Sequence, residues 1–241
     1  MQTSVNTRRI RALDFLRGAA LSLMVVYHVA YSYRFLFNGK VDIYTPLLPL
    51  AVPFVCLFFA ISGISSHLSR NNYTRAFKTL LAAVAISFVT HLANPEAFVR
   101  FGVIHCLGSC MLLHAMMGKY TDRLFGKGTP FVYAGLFIIV FAITRAVNPI
   151  DIPHLYALGF YDMAFSSTDY YGIFPWFFMF LFGSSVADYV VERKLPKWFY
   201  ALQCAPIEWV GKNALIVYLL HQPVAVAFLY VLVRLFPILV N

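Results

Sequence analysis

The chain has 241 residues, of which 61% are apolar or aromatic and only 12% are charged. Soluble domains usually carry about 25% charged residues, so this composition excludes an ordinary soluble globular protein. It also excludes intrinsic disorder, which requires low hydrophobicity. The chain is therefore predicted to be an integral membrane protein, in which each spanning helix needs roughly 17–25 apolar residues.

Charged residues divide the chain into seven uncharged stretches that, with their flanks, are long enough to cross a bilayer. They predict an all-α, multi-pass protein with seven transmembrane helices and a single domain over residues 1–241. Residues 146–169 are predicted to form a long polar loop, with an eighth helix as the alternative, and residues 195–211 an interfacial segment. The seven stretches are 18–33, 43–69, 79–95, 101–118, 128–144, 170–187 and 213–233.

The basic residues predict the orientation of the helices. If the N-terminus is cytoplasmic, thirteen Lys and Arg residues, among them Arg8 and Arg9, lie in cytoplasmic loops and five lie outside. This bias follows the positive-inside rule. Topology and contacts with anionic lipids account for the net charge of +9, so no nucleic-acid partner is expected. An eighth helix in 146–169 would place the basic loop 193–197 outside, which argues against it.

The first predicted helix carries ionisable residues, which are costly in a membrane and usually functional. Asp14 lies three residues before Arg17, the spacing of an i,i+3 ion pair. Arg17 and His28 are eleven residues apart, so they share one helix face and are separated along the axis by about 16 Å. Anchoring at the headgroups would account for Asp14 and Arg17, but it does not account for His28.

Further polar residues interrupt the later helices. His105 is predicted at a depth similar to that of His28, and His221 near the middle of the last helix. The other intramembrane histidines, His67, His91 and His114, are predicted to be hydrogen-bonding partners between helices. Cys106 and Cys110 lie between His105 and His114 at near-helical spacing, but no carboxylate is near them in that helix, so no metal site is predicted. Asp169, with Trp176 nearby, suits either sugar binding or an ordinary interfacial belt.

The stretch RALDFLRGAALSLMVVYH (11–28) resembles the opening of membrane acyltransferases. The spacing of Arg17 and His28 is similar to the arginine–histidine motif of the acyltransferase-3 family. Three further segments resemble the family of heparan-α-glucosaminide N-acetyltransferase, including its bacterial members: RFGVIHCLG (100–108), DYYGIFPWFFMFLFGSSVADY (169–189) and IEWVGKNALIVYLLHQP (207–223). Together with FFAISGISS (58–66), these segments extend the resemblance over most of the chain.

The resemblance implies an enzyme that transfers an acetyl or acyl group from cytoplasmic acyl-CoA to a hydroxyl or amine of a sugar or cell-envelope glycan. It implies a bacterial cytoplasmic membrane and no metal. His28 would be either the general base or a nucleophile that carries the acyl group, and both roles require a neutral imidazole. The animal relative has its catalytic histidine in the region after its first matching helix, where this chain has none.

The resulting site prediction assigns His28, His105 as its helper and Asp14 to catalysis. Arg17, Lys212 and Asn213 are the candidates for binding the cofactor, and Asn213 is also a candidate oxyanion donor. Asp169, Trp176 and His221 are the candidates for binding the acceptor. The expected partners are acyl-CoA, the glycan acceptor and membrane lipids, and a homodimer is left open.

Two other classes of protein fit parts of the pattern. A proton-coupled transporter could use His28, His105 and His221 as a relay. It would be expected to show internal repeats, and none is visible in the sequence. A membrane scaffold without enzymatic activity would use the same histidines for stability, so that the change His28→Ala would impair folding and abolish no chemistry.

Overall fold

The computed structural model describes residues 10–95, 98–150, 152 and 154–240, with Lys119 described by its backbone alone. Arg8 and Arg9, which contribute to the charge bias, lie outside the described residues. Within these ranges the chain forms nine α-helices and no β-strand. The helices are α1 (Arg11–Phe35), α2 (Leu48–His67), α3 (Asn72–Ala93), α4 (Val103–Met117), α5 (Thr129–Val147), α6 (Ile173–Val191), α7 (Lys197–Ala201), α8 (Ala205–Lys212) and α9 (Ala214–Leu235).

Six of these helices are long and apolar enough to cross a membrane. The helix α4 is apolar but shorter, with 15 residues. Its length is about 22 Å, compared with about 30 Å for a bilayer core. Each of the seven predicted stretches overlaps one of these seven helices. The prediction of an all-α, multi-pass membrane protein is confirmed. The cytoplasmic location of the N-terminus stays a prediction.

The two segments predicted to be irregular lack long helices. In the described part of 148–172, the helical structure consists of one 3-10 turn at Tyr156–Leu158. No eighth membrane-spanning helix is present in that part. Asn148 organises this loop, because its amide donates to the carbonyl of Gly159 at 2.8 Å and accepts from the backbone N–H of Tyr161 at 3.2 Å. The predicted interfacial segment contains the short helices α7 and α8.

The chain divides into two compact units. The first contains Met1–Phe58 and Arg193–Asn241, and the second contains Phe59–Glu192. The helix α2 contributes residues to both units. The prediction of one domain over residues 1–241 stays a prediction.

In the first unit, two glycines allow α1 and α8 to pack with their backbones in close contact. A Cβ atom at Gly18 would collide with the carbonyl of Ile207, and one at Gly211 would collide with the carbonyl of Asp14. Small residues at such crossings are the usual means of helix association in membranes, where lipid provides no hydrophobic driving force. The close packing brings the end of α8 against the polar first turns of α1.

In the second unit, the same arrangement joins the end of α2 to α6. A Cβ atom at Gly63 would collide with the carbonyl of Phe180, and one at Gly183 would collide with the carbonyl of Ala60. Phe59 and Phe180 are fully buried beside this crossing. The glycines therefore set the distance at which the polar residues at the ends of these helices meet.

Candidate active site

Asp14 and Arg17 form the predicted ion pair on the first turns of α1. Arg17 donates to the Asp14 carboxylate at 3.2 Å and also contacts the carbonyl of Gly211 at 3.4 Å. Asp14 is buried, and the Arg17 side chain is mostly buried. Because Gly211 closes the gap between α8 and α1, the guanidinium lies against the end of α8.

His28 is held in one tautomer by its own helix. Its Nδ1 atom lies 2.9 Å from the carbonyl oxygen of Met24, one turn earlier in α1. A carbonyl oxygen can only accept a hydrogen bond, so this geometry assigns the proton of the neutral ring to Nδ1. The lone pair is then on Nε2, the nitrogen that is not directed at the backbone.

His221 packs against His28 from α9. The centroids of the two rings are 4.9 Å apart and the ring planes are inclined by 78°. The Nδ1 atom of His221 donates to the carbonyl of Tyr218, so its lone pair is also on Nε2. That Nε2 atom is buried and has no hydrogen-bond partner among the described residues. The structure thus brings together the predicted catalytic histidine and one predicted acceptor-binding histidine.

The half-buried amide of Gln222 follows His221 in α9. Gln222 donates from Nε2 to the hydroxyl of Ser32 at 2.9 Å, and Ser32 is fully buried. The Oε1 atom of Gln222 is buried and has no partner within the described part of the chain. Buried polar atoms in proteins are nearly always hydrogen-bonded, so these two acceptors at one helix contact are candidates for contacts with a bound molecule.

An aromatic cluster begins next to His28 at Tyr27. The ring of Tyr27 lies 5.6 Å from that of His28, and its hydroxyl is 2.8 Å from the hydroxyl of Tyr44. Tyr31 and Phe35 pack against Tyr44 at 5.6 and 5.3 Å. The 3-10 turn Thr45–Leu47, which precedes α2, is held by Asp42, whose carboxylate accepts from the backbone N–H groups of Tyr44 and Thr45. Hydrogen bonds from Thr45 lower the pKa of the Asp42 carboxyl.

The two cofactor-binding candidates at the end of α8 already have contacts within the protein. Lys212 lies 3.7 Å from the carboxylate of Glu208, and Asn213 donates to the carbonyl of Trp209 at 2.9 Å. Glu208 is buried and accepts two hydrogen bonds from Arg11, at 2.9 and 3.0 Å, which lower the pKa of its carboxyl. Lys212 remains partly exposed, whereas the Asn213 amide caps the end of α8.

His105, the predicted helper of His28, belongs to the second unit, where both its ring nitrogens are engaged. Its Nδ1 atom accepts from the backbone N–H of Gly102 at 3.2 Å, so its Nε2 atom donates to the hydroxyl of Ser87 at 3.0 Å. The Ser87 hydroxyl in turn donates to the carbonyl of Val99. These contacts make His105 a cap for α4 that also joins α3 to α4.

Asp169 and Trp176, the other acceptor-binding candidates, also lie in the second unit. The carboxylate of Asp169 accepts from the backbone N–H of Val103 at 3.1 Å, a donor in the first turn of α4 that has no partner within the helix. Trp176 is buried among aromatic rings, with Phe59 and Phe137 at 5.4 and 5.5 Å. The geometry favours a structural role for both residues.

The second unit contains a polar cluster that the sequence analysis did not assemble, here called the Asp122 cluster. The carboxylate of Asp122 contacts His67 at 2.6 Å and His114 at 3.2 Å. His67 also contacts Asp188 at 3.1 Å, and the hydroxyl of Ser184 lies 2.9 Å from His114. Burial would raise the pKa of Asp122, but hydrogen bonds from His114, His67 and Ser184 outweigh it and lower that pKa.

The Asp122 cluster is not a catalytic triad. In a triad the hydroxyl and the carboxylate contact different nitrogens of the histidine, but here Ser184 and Asp122 both contact Nε2 of His114. Nor do three or more His, Cys, Asp or Glu side chains in the described ranges form a group that could hold a metal ion. The expectation that His67 and His114 hydrogen-bond between helices is confirmed, and the cluster joins α2, α4 and α6.

Two participants were missed by sequence reasoning. Asp122 lies in a loop with ordinary charged neighbours, so no local pattern distinguishes it from a solvated aspartate. Gln222 carried a stronger signal, because it is a polar side chain next to His221 in the middle of an apolar stretch.

Fold and site together define a multi-pass membrane protein with a histidine pair between two helices. The model for the catalytic part of heparan-α-glucosaminide N-acetyltransferase matches residues 9–223. The chain belongs to this family of membrane acetyltransferases, and the resemblance predicted from the sequence is confirmed. Comparison with curated proteins and with solved structures finds no match.

Proposed function

We propose that this protein transfers an acetyl group from cytoplasmic acetyl-CoA to an amine or hydroxyl of a sugar or cell-envelope glycan in a bacterial cytoplasmic membrane. The observation that carries the proposal is the tautomer of His28, whose Nδ1–H is held by Met24 and whose Nε2 lone pair is therefore directed away from its helix. A general base needs such a lone pair.

In the direct mechanism, the acceptor nitrogen or oxygen attacks the thioester carbonyl carbon. The new C–N or C–O bond forms, the C–S bond breaks, and the proton of the acceptor passes to Nε2 of His28 and then to the CoA sulfur. The alternative is an acetyl group carried on Nε2. The hydrogen bond from Nδ1–H to the Met24 carbonyl favours the direct mechanism. It would keep a proton on Nδ1 while Nε2 carries the acetyl group, so the acetylated ring would be positively charged.

The pair of histidines favours an amine as the acceptor. His28 and His221 each have the lone pair on Nε2, so the site offers two hydrogen-bond acceptors at rings 4.9 Å apart. A primary amine has two N–H groups and can donate to both nitrogens, whereas a hydroxyl can donate to one. A buried acceptor without a partner is costly, about 1–3 kcal/mol. We therefore expect amines to react faster than hydroxyls.

The acetyl donor enters from the Arg17 end of α1. Arg17 and Lys212 are cations at the contact of α1 with α8, and CoA carries several negative phosphate charges. His28 lies about 16 Å further along the helix, a distance comparable to the pantetheine arm. Arg17 and Lys212 are thus assigned to the CoA phosphates and His28 to the thioester.

The transporter alternative is less well supported. A relay through His105 needs a ring nitrogen that can exchange protons, and both nitrogens of His105 are engaged by Gly102 and Ser87. Membership of an acetyltransferase family also favours the enzyme.

The test is transfer of labelled acetyl from acetyl-CoA by the purified protein in detergent. Methyl α-glucosaminide supplies an amine and methyl α-glucoside supplies hydroxyls on the same ring. We expect transfer to the glucosaminide at a higher kcat/KM. Faster transfer to the glucoside would overturn the preference for amines, and transfer to neither sugar by well-folded protein would overturn the proposed function.

A further inference from the structure

The half-buried side chain of Gln222 has one buried polar atom, Oε1, that has no hydrogen-bond partner among the described residues. We propose that Gln222 recognises the acceptor by accepting a hydrogen bond from a second donor group of that molecule, a hydroxyl apart from the group that is acetylated. This inference rests on the proposed acetyltransferase function and assigns the acceptor end of the same site.

The order of residues along α1 places Gln222 on the acceptor side of His28. Arg17, at the donor end, precedes His28 by eleven residues, and Ser32 follows His28 by four. Ser32 is thus on the same helix face, about 6 Å beyond His28 and away from Arg17. Because Gln222 donates to Ser32 at 2.9 Å, its amide lies at this far end.

The chemistry of the unsatisfied atoms indicates which substrate they bind. Gln222 Oε1 and His221 Nε2 are both hydrogen-bond acceptors that are buried without partners in the described ranges. A thioester offers a carbonyl oxygen and a sulfur, which are acceptors as well and cannot satisfy them. An amino sugar or a polyol offers N–H and O–H donors and can satisfy both.

The neighbouring contact fixes the direction of the Gln222 amide. Its other end is held by Ser32, which is fully buried in α1. Because the Nε2 end donates to Ser32, the end without a partner among the described residues is the acceptor Oε1. The contact thus orients the amide through Nε2 and leaves Oε1 available to accept a hydrogen bond, as expected of a residue that positions a ligand.

The experiment compares two acceptors across matched variants. Methyl α-glucosaminide has an amine with hydroxyls on its ring, and cyclohexylamine has a six-membered ring with an amine and no hydroxyl. Gln222→Leu removes the amide at similar size. We expect it to raise the KM for the glucosaminide about tenfold, the effect of one buried hydrogen bond, while the KM values for cyclohexylamine and acetyl-CoA stay unchanged.

Ser32→Ala is the second variant, because it keeps the amide but removes its anchor. It should raise the KM for the glucosaminide about threefold and leave acetyl-CoA binding intact. A helix-to-helix hydrogen bond without a role in recognition would instead make both variants less stable and change both acceptors alike.

The outcomes separate this inference from the function on which it rests. An unchanged ratio between the two acceptors in active Gln222→Leu or Ser32→Ala protein overturns the role of Gln222 alone. Absence of acetyl transfer by the wild-type protein overturns the proposed function, and the role of Gln222 falls with it.

Discussion

At the scale of the residue, the chemistry of His28 depends on which ring nitrogen carries the proton. The Met24 carbonyl fixes it on Nδ1, and the Tyr218 carbonyl does the same for His221. Backbone carbonyl oxygens of α1 and α9 thus leave the Nε2 lone pairs of His28 and His221 available at the contact of the two rings. Asp14 pairs with Arg17, so in the proposed mechanism it is a positioning residue for that guanidinium.

Arg17→Ala should weaken acetyl-CoA binding roughly 10- to 100-fold, since a charge-assisted hydrogen bond contributes about 1.5–3 kcal/mol. The affinity can be measured by equilibrium binding in detergent. Arg34→Ala, at the opposite end of α1, is the matched control and should bind acetyl-CoA like the wild type. An equal loss of affinity for acetyl-CoA in both variants would contradict the assignment of Arg17 to CoA binding.

Asp169→Ala should lower stability by about 1 kcal/mol, because Asp169 caps the first turn of α4. Thermal unfolding in detergent measures this, and steady-state kinetics measures the KM for the acceptor. If the stability is unchanged and the acceptor KM rises, the carboxylate binds substrate, as the sequence analysis proposed.

These residues show how far the site could be read from the sequence. The pairing of Asp14 with Arg17 depends on spacing within one helix, so helical arithmetic predicts it. The capping contacts of His105 and Asp169 join backbone and side chains across turns and loops, and no spacing rule contains them. The contact of His28 with His221 links residues far apart in the chain and requires the fold.

At the scale of the element, glycine determines how closely α8 approaches α1. Gly211→Ala should destabilise the protein by about 1–3 kcal/mol, because the new Cβ would collide with the carbonyl of Asp14. Gly135→Ala in α5 is the matched control, since no atom lies within 4 Å of its added Cβ. Its higher helix propensity should leave stability equal or slightly higher. Similar unfolding temperatures for both variants would contradict this packing.

In the second unit, the Asp122 cluster connects α2, α4 and α6 by hydrogen bonds. Asp122→Asn should cost about 3 kcal/mol, because it removes the charge that two histidines share. The unfolding temperature measures the loss, and Asp162→Asn in the exposed loop is the control. An unchanged temperature in Asp122→Asn would show that the cluster contributes no stability.

The lowered pKa of Asp122 also predicts how stability depends on pH. A carboxyl whose folded pKa is below its unfolded value of about 3.9 stabilises the protein above that pH and loses this contribution as the pH falls further. Between about pH 5 and pH 2 the wild type should therefore lose more stability than Asp122→Asn. Parallel curves would contradict the lowered pKa.

For the whole molecule, composition and charge spacing predicted the class of protein and the positions of its apolar helices, of which six are long enough to cross a membrane and α4 is shorter. Each of the seven uncharged stretches overlaps one helix, because backbone groups in lipid must be satisfied within the segment. The helix ends were less predictable, since α1 and α3 continue through charged residues such as Asp14 and Arg75 that have partners in the folded chain.

The predicted orientation can be tested with cysteines at two exposed loop positions. Met163 is 87% exposed between α5 and α6, and Tyr120 is 86% exposed between α4 and α5. In intact cells, a membrane-impermeant thiol reagent should label Met163→Cys and spare Tyr120→Cys, with the unsubstituted protein as the background control. The reverse pattern would place the N-terminus outside.

In the proposed mechanism, Nε2 of His28 takes the proton of the acceptor. The most direct measurement is the kcat for acetyl transfer in His28→Ala at saturating acetyl-CoA, beside its affinity for acetyl-CoA. His91→Ala, an exposed histidine of α3, is the control. We expect kcat to fall about 10²- to 10⁴-fold in His28→Ala, with affinity and the control unchanged. Transfer at the wild-type rate in folded His28→Ala protein would contradict the account.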